Sequence, residues 1–209
     1  DKCEALRETL PPWTLILCLS GFHRLPAEKI EYEEEALMEV ASELHFQVLR
    51  TVAGIPGLET TILELLRKPW LGDDYWKLRY KGSCHDIFFH TTLDRVPEFT
   101  KAMDEVAAKY GYSTKDIGIY LQPLERARAC FCQFGFHCDP KDASEVNLVH
   151  SLFLEASERA ISMGGFFTTP YGPWADMVYS RAASYTHALK VVKNAYDPNN
   201  ILNPGKLCL

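Results

Sequence analysis

Between residues 86 and 136 the apolar positions recur at every second residue, then at every third or fourth, then at every second again. Few folds are open to a chain with that pattern. DIFFHTT at 86–92 has the β-branched and aromatic make-up of a strand. VPEFTKAMDEVAAKYGY follows as a helix, with Phe99, Met103, Val106 and Tyr110 on one stripe and Asp94 and Pro97 at its start. Strands then read over 117–121 and 127–136. The second alternates, with Cys130 and Cys132 on one face and Phe131 on the other. After CDPKD the spacing predicts a long helix from Ser144 to about Met163, with Asp142 and Glu145 at capping-box spacing. A last helix is expected over 173–196, ending where Pro198 biases Asp197 out of helical backbone.

The first third of the chain carries weaker signals of the same kind. WTLILCLS at 13–20 reads as a buried strand, and 26–44 as a helix with Ile30, Leu37, Val40, Ala41 and Leu44 at helical spacing and acids on the opposite face. A second strand is expected over 45–50, a break at 54–57, and a short helix through Ile62 and Leu65. KPWLGDDYWKLRYKGS at 68–83 is irregular and aromatic, as in a loop that covers something. The order β-α-β, then β-α-β-β-α, predicts an α+β fold of two ferredoxin-like split βαβ units. These would form a large antiparallel sheet with helices on one face. No repeat, low-complexity tract or linker marks a boundary, so residues 1–209 read as one domain.

The formal net charge of -6 argues against nucleic acid or an anionic membrane surface as the main partner, since both demand a basic face. No apolar run approaches the roughly 18–20 residues that span a bilayer. Asp1 reads as the start of a processed chain or of a piece of a longer one. The seven cysteines have no framework spacing, which favours a reducing compartment. Their one cluster, Cys130, Cys132 and Cys138 with His137, lies on the alternating strand and is read as structural rather than as a zinc site.

Neither a glycine-rich phosphate loop nor a serine nucleophile motif is present. His85 and His90 flank a strand and have the right chemistry for acid–base work near neutral pH. Arg126 and Arg128 alternate with alanines, either on a solvent-facing edge or aimed at an anionic or phenolic substrate. GGFFTTPYGPW at 164–174 is a core plug or the wall of an aromatic pocket.

KNAYDPNNILNPGK, preceded by a long amphipathic helix, resembles the C-terminus of FAD-linked oxidases and dehydrogenases of the vanillyl alcohol oxidase and p-cresol methylhydroxylase family. FFHTT, the helix at 96–112, FGFHCDP and SLFLEASERAISMGGFFTTPYG come in that family's order. The resemblance is good over residues 80–209 and loose before them. It implies that this chain is the cap, or substrate, domain without the N-terminal FAD-binding domain, and that its cofactor is FAD. It places Lys206, after Gly205 of a Pro-Gly turn, beside the flavin pyrimidine ring. Tyr80 and His85 become candidates for a covalent flavin link, with a non-covalent flavin equally compatible.

On the substrate side, the resemblance puts Phe167-Thr168 where phenol-oxidising members carry Tyr-Arg, with Tyr171 nearby. It puts Tyr120 near an acidic position, and it offers Arg128 as a replacement positive charge. The implied reaction removes a hydride from an alcohol, hydroxy acid or benzylic carbon. The implied partners are the FAD-binding domain, a small-molecule substrate, and a cytochrome or other electron acceptor. The expected location is the cytoplasm, with the periplasm as the alternative, and a homodimer is compatible with the resemblance. The reading from a different class is a non-catalytic ferredoxin-like binding module.

Overall fold

The computed structural model of the protein describes residues 11, 13–51, 57–68 and 75–206. The chain divides into two compact units, Asp1–Arg67 and Lys68–Leu209, which are taken separately.

The first unit contains α1 (Pro26–Glu43) and α2 (Leu58–Arg67). Proline suits the first turn of α1, where its missing N–H is an orphan in any case. Lys29 fixes that end, donating from Nζ to Ser20 O at 2.7 Å and to Glu33 Oε1 at 2.6 Å. The strands expected over 13–20 and 45–50 are not formed. Leu15 is 72% exposed and His45 has φ 58°, so neither run presents the paired, half-buried backbone of a strand. An apolar run becomes a strand only where a neighbouring extended segment pairs with its N–H and C=O groups, and no described residue of this unit pairs with either run in that way. Of the break expected at 54–57 only Gly57 is described, at φ 84°.

The second unit is built on β1 (Ser83–Thr91), α3 (Val96–Lys109), β2 (Ile117–Leu124), β3 (Ala129–Cys138) and α4 (Ala143–Ser162). The strands form a three-stranded sheet in the order β1-β3-β2, with both pairs antiparallel. The class is α+β, as expected. The large sheet and the second split βαβ unit are not formed among the described residues, because the two N-terminal runs that were to supply their strands stay unpaired. Of the loop expected over 68–83, residues 69–74 lie outside the described residues, and Trp76–Arg79 form one turn of 3-10 helix.

Strand alternation sends every second side chain to the same face. Ile87 and Phe89 of β1, with Phe134 and Phe136 of β3, face α3 and α4, where they join Phe99, Met103, Leu152 and Ala156 in one fully buried core. Cys132 sits in that core with its thiol pushed up to about 12 by burial, which suits packing and not thiolate chemistry. Asp142 caps α4, accepting from the Ser144 N–H at 2.8 Å and the Glu145 N–H at 3.3 Å. Glu145 reaches past the cap to the Asp139 N–H at 2.8 Å, so half of the capping box is replaced by a loop bond.

β1 is tied to the passage after α4. His90 N–H donates to Phe166 O at 2.8 Å and Phe166 N–H donates to His90 O at 2.9 Å. Gly165 lies so close that a Cβ there would meet the Phe89 ring at 2.9 Å, so glycine is required. The helix expected over 173–196 is split into α5 (Pro173–Tyr179) and α6 (Ala183–Tyr196). Side chains release the chain between them: Arg181 Nη1 donates to Met177 O at 2.6 Å and Thr186 Oγ1 to Tyr179 O at 2.9 Å. These bonds satisfy carbonyls that a continuing helix would have used.

Candidate functional site

The face of the sheet opposite α3 and α4 carries the other half of each strand. Its register sets Phe88 beside Gln133 and Gln133 beside Tyr120; one step along, Asp86, Gly135 and Gly118 form the next row. None of these side chains belongs to the apolar core, apart from Phe88 packing against its margin.

One half of the face is aromatic, and Phe131 is its hub. Its ring stacks on Phe88 with centroids 5.9 Å apart and an interplanar angle of 26°. His90 and Tyr120 meet it edge-on at 5.9 Å and 6.1 Å. Tyr171 closes the margin, its ring 6.3 Å from Phe88 and 5.1 Å from the buried Trp174.

The other half is polar. Lys77 Nζ donates to Asp86 Oδ2 at 2.9 Å, and the Cys84 thiol donates to Asp86 Oδ1 at 3.4 Å. Burial first, and the Asp86 charge second, push the Cys84 thiol up to about 12, so it is a neutral donor and not a nucleophile. His137 Nε2 lies 3.8 Å from Cys84 Sγ, and its Nδ1 is buried without a hydrogen-bond partner among the described residues. Gly135 makes room for the group, because a Cβ there would stand 2.9 Å from Asp86 Oδ1 and 3.1 Å from Cys84 Sγ. Tyr112 finishes β3, donating to His137 O at 3.0 Å and accepting the His137 N–H at 2.8 Å.

The residues expected to form a site are distributed unevenly. Tyr120 stands on the open face, with its hydroxyl donating to Gln122 Oε1 at 3.3 Å. Tyr80 lies at the polar end, its ring 5.3 Å from His137 and its hydroxyl donating to Asp116 Oδ1 at 2.9 Å. His85 points the other way, to the helix side, where it meets the Phe153 ring edge-on at 6.1 Å. Phe167 is a core residue, stacked 5.5 Å from Phe89, whereas Thr168 and Tyr171 after it are exposed. The passage at 164–174 is therefore part core plug and part exposed wall.

Arg128 is not on the strand. Glu125, Arg126 and Ala127 all take left-handed backbone (φ 50°, 60° and 62°) and form a hairpin turn, and Arg128 folds back to donate from Nε to Glu125 O at 3.1 Å. Lys206 is exposed on a turn closed by its own N–H to Asn203 O at 3.2 Å, with Gly205 at φ 70°. Phe88, Phe131, Gln133 and the Lys77–Asp86 pair were not singled out in advance. The alternation of CFCQFGF already separated Phe131 and Gln133 from the buried cysteines, and the missing element was the strand register.

Burial holds the imidazoles of His85 and His137 below their ordinary range, and the neighbouring His150 adds to this at His85. Protonation therefore favours the unfolded chain. Their contribution to stability is complete above the unfolded value of about 6.5 and is lost as pH falls below it through the folded-state values. Thermal unfolding midpoints from about pH 8 to about pH 5 should fall on the acid side of that point, and a His85→Gln, His137→Gln double variant should show a smaller fall. A midpoint that rises on acidification contradicts the assignment.

With this geometry in place, comparison with known proteins identifies the class. Residues 90–207 match the family described as FAD linked oxidases, C-terminal domain. The match takes in most of the sheet, α4 to α6 and Lys206, and the chain belongs to that family. Its cofactor is FAD. Among curated proteins, it is 31% identical over 128 residues to the glycolate oxidase subunit GlcD of Bacillus subtilis (strain 168), an alignment covering 54% of this chain and 23% of that protein. It is 28% identical over 198 residues to the D-2-hydroxyglutarate dehydrogenase of Haemophilus influenzae (strain ATCC 51907 / DSM 11121 / KW20 / Rd), covering 88% of this chain and 17% of the relative. The chain thus spans less than a quarter of the length of either. Among the described residues no helix is long and apolar enough to cross a membrane.

Proposed function

We propose that this chain is the substrate-side module of an FAD-dependent oxidoreductase acting on a hydroxy acid or related alcohol. The vanillyl alcohol oxidase branch is the finer placement within the family. The observation that carries the reading is the family match, which includes β2 and β3 of the open face and runs through the Lys206 turn. The names of the two relatives support the substrate class.

FAD fits what the chain offers. The open face presents flat, half-exposed rings to a planar partner, and Lys206 presents an exposed cation on a closed turn. When bound, FAD supplies a two-electron acceptor for a hydride from the carbinol carbon. The chain's own residues do the rest. Lys206 offsets the negative charge that appears on the pyrimidine side, and Phe88, Phe131 and Tyr120 exclude water from the reacting carbon. Gln133, at the centre of the face, orients a hydroxyl or carboxylate. A separate FAD-binding domain holds the nucleotide. Of this chain's two candidates for a covalent link, His85 lies on the helix side and the Tyr80 hydroxyl is engaged with Asp116, which supports a flavin that this chain does not tether.

The test is made on the full-length protein that carries this chain. It should purify with FAD that denaturation releases, and the visible absorbance should bleach on anaerobic mixing with a 2-hydroxy acid such as glycolate or 2-hydroxyglutarate. Absence of flavin after reconstitution with FAD rejects the proposal. Bleaching by aryl alcohols and not by hydroxy acids retains the class and changes the substrate.

A further inference from the structure

We infer that Asp197 is a positioning residue for Lys206, fixing the place of that cation through a clasp around the end of α6. The inference rests on the role proposed above for Lys206. Asp197 is 6% exposed, although the tail around it lies open. A buried carboxylate is unfavourable unless donors take up its oxygens, and here they do. Oδ1 accepts the Ile201 N–H at 2.8 Å, and Oδ2 accepts both the Leu202 N–H at 2.8 Å and the Lys193 ammonium. Lys193 also donates to Leu202 O, and the Asn200 N–H donates to Asp197 O at 3.0 Å.

From Leu202 the chain runs straight into the turn 203–206. Pro204 presets one φ there, Gly205 supplies the left-handed φ of 70°, and the Lys206 N–H closes the turn on Asn203 O at 3.2 Å. The backbone between Asp197 and Lys206 is therefore pinned at the N–H groups of Asn200, Ile201, Leu202 and Lys206. Apolar burial does not hold it, since Ile201 is 72% and Leu202 63% exposed. The path of the tail depends on hydrogen bonds, and Asp197 accepts most of them. A tail fixed in this way, with a lone cation at its tip, is preorganised for a charge that develops elsewhere.

The decisive experiment measures sulfite affinity in the flavin-loaded fraction of the full-length protein, from the loss of visible absorbance. Sulfite adds at flavin N5 and leaves negative charge on the pyrimidine side, so its affinity reports the cation and not merely the folded fraction. Asp197→Asn keeps the shape of the side chain but turns one acceptor into a donor facing donors. The expected result is a loss of affinity close to that of Lys206→Met, on the order of tenfold or more in each. The double variant should be no weaker than Lys206→Met alone. Normal affinity in Asp197→Asn beside a weakened Lys206→Met overturns the inference and leaves the role of Lys206 standing. Normal affinity in Lys206→Met overturns that role, and the inference with it. If Asp197→Asn yields no holoprotein, Lys193→Gln breaks the same clasp from the helix side and is judged by the same outcomes.

Discussion

Replacing Trp174 with alanine should lower the stability of the second unit by about 3–5 kcal/mol, a large part of the roughly 5–15 kcal/mol of a typical domain. Trp174 is 1% exposed and joins α5 to both neighbouring layers. Its ring lies 5.0 Å from Phe167, 5.1 Å from Phe88 and 5.6 Å from Phe153. Its indole N–H donates to the fully buried Ser157 Oγ at 2.8 Å, so truncation leaves both a cavity and a buried hydroxyl that has lost its donor. Trp174→Phe removes the hydrogen bond and keeps much of the packing, and should cost about 1–2 kcal/mol. Denaturant unfolding followed by far-UV circular dichroism separates the two. The consequence reaches the open face, because Phe88 rests on Trp174 from one side and on Phe131 from the other. A loss below about 1 kcal/mol in Trp174→Ala contradicts the packing described.

The parts of this fold that were legible in advance are those in which local pattern and burial agree. The stripe of Phe99, Met103 and Val106 predicts a helix and is buried as one, and the alternation through Cys130, Cys132 and Phe134 predicts a strand that buries one face. WTLILCLS is as apolar as a buried strand and yet forms none, because a strand is a pairing and the run contains no information about a partner. The hairpin before Arg128 is hidden in the sequence for a different reason. Its turn is made by Glu125, Arg126 and Ala127 in left-handed backbone, where Asn or Gly is the usual signal. The split between α5 and α6 was likewise hidden, because side-chain bonds from Arg181 and Thr186 end the helix in place of a glycine.

The site was legible only at the level of the family motif. Lys206 and its Pro-Gly turn stand out in the sequence, and Asp197 accepts the Ile201 and Leu202 N–H groups of the backbone that leads into that turn. The composition of the open face depends on which residue of β1 stands opposite which residue of β3, and no stretch of either strand contains that register. His85 illustrates the point. It is one residue from Asp86, yet it occupies the opposite face, against Phe153 and away from Lys77 and Cys84.

The central claim is that Lys206 serves bound flavin as a fixed cation, and the rate of flavin reduction tests it most directly. In the reaction proposed for the full-length protein, hydride transfer would place negative charge on the pyrimidine side of the ring. Removing a preorganised group that meets such a charge typically slows the chemical step by about 10²–10³-fold. Lys206→Met keeps most of the length of the side chain and deletes the charge. Anaerobic single-turnover mixing with saturating substrate, read from the flavin absorbance, should show that slowing with FAD content unchanged. A rate constant within about twofold of the parent protein, at full FAD content, contradicts the account.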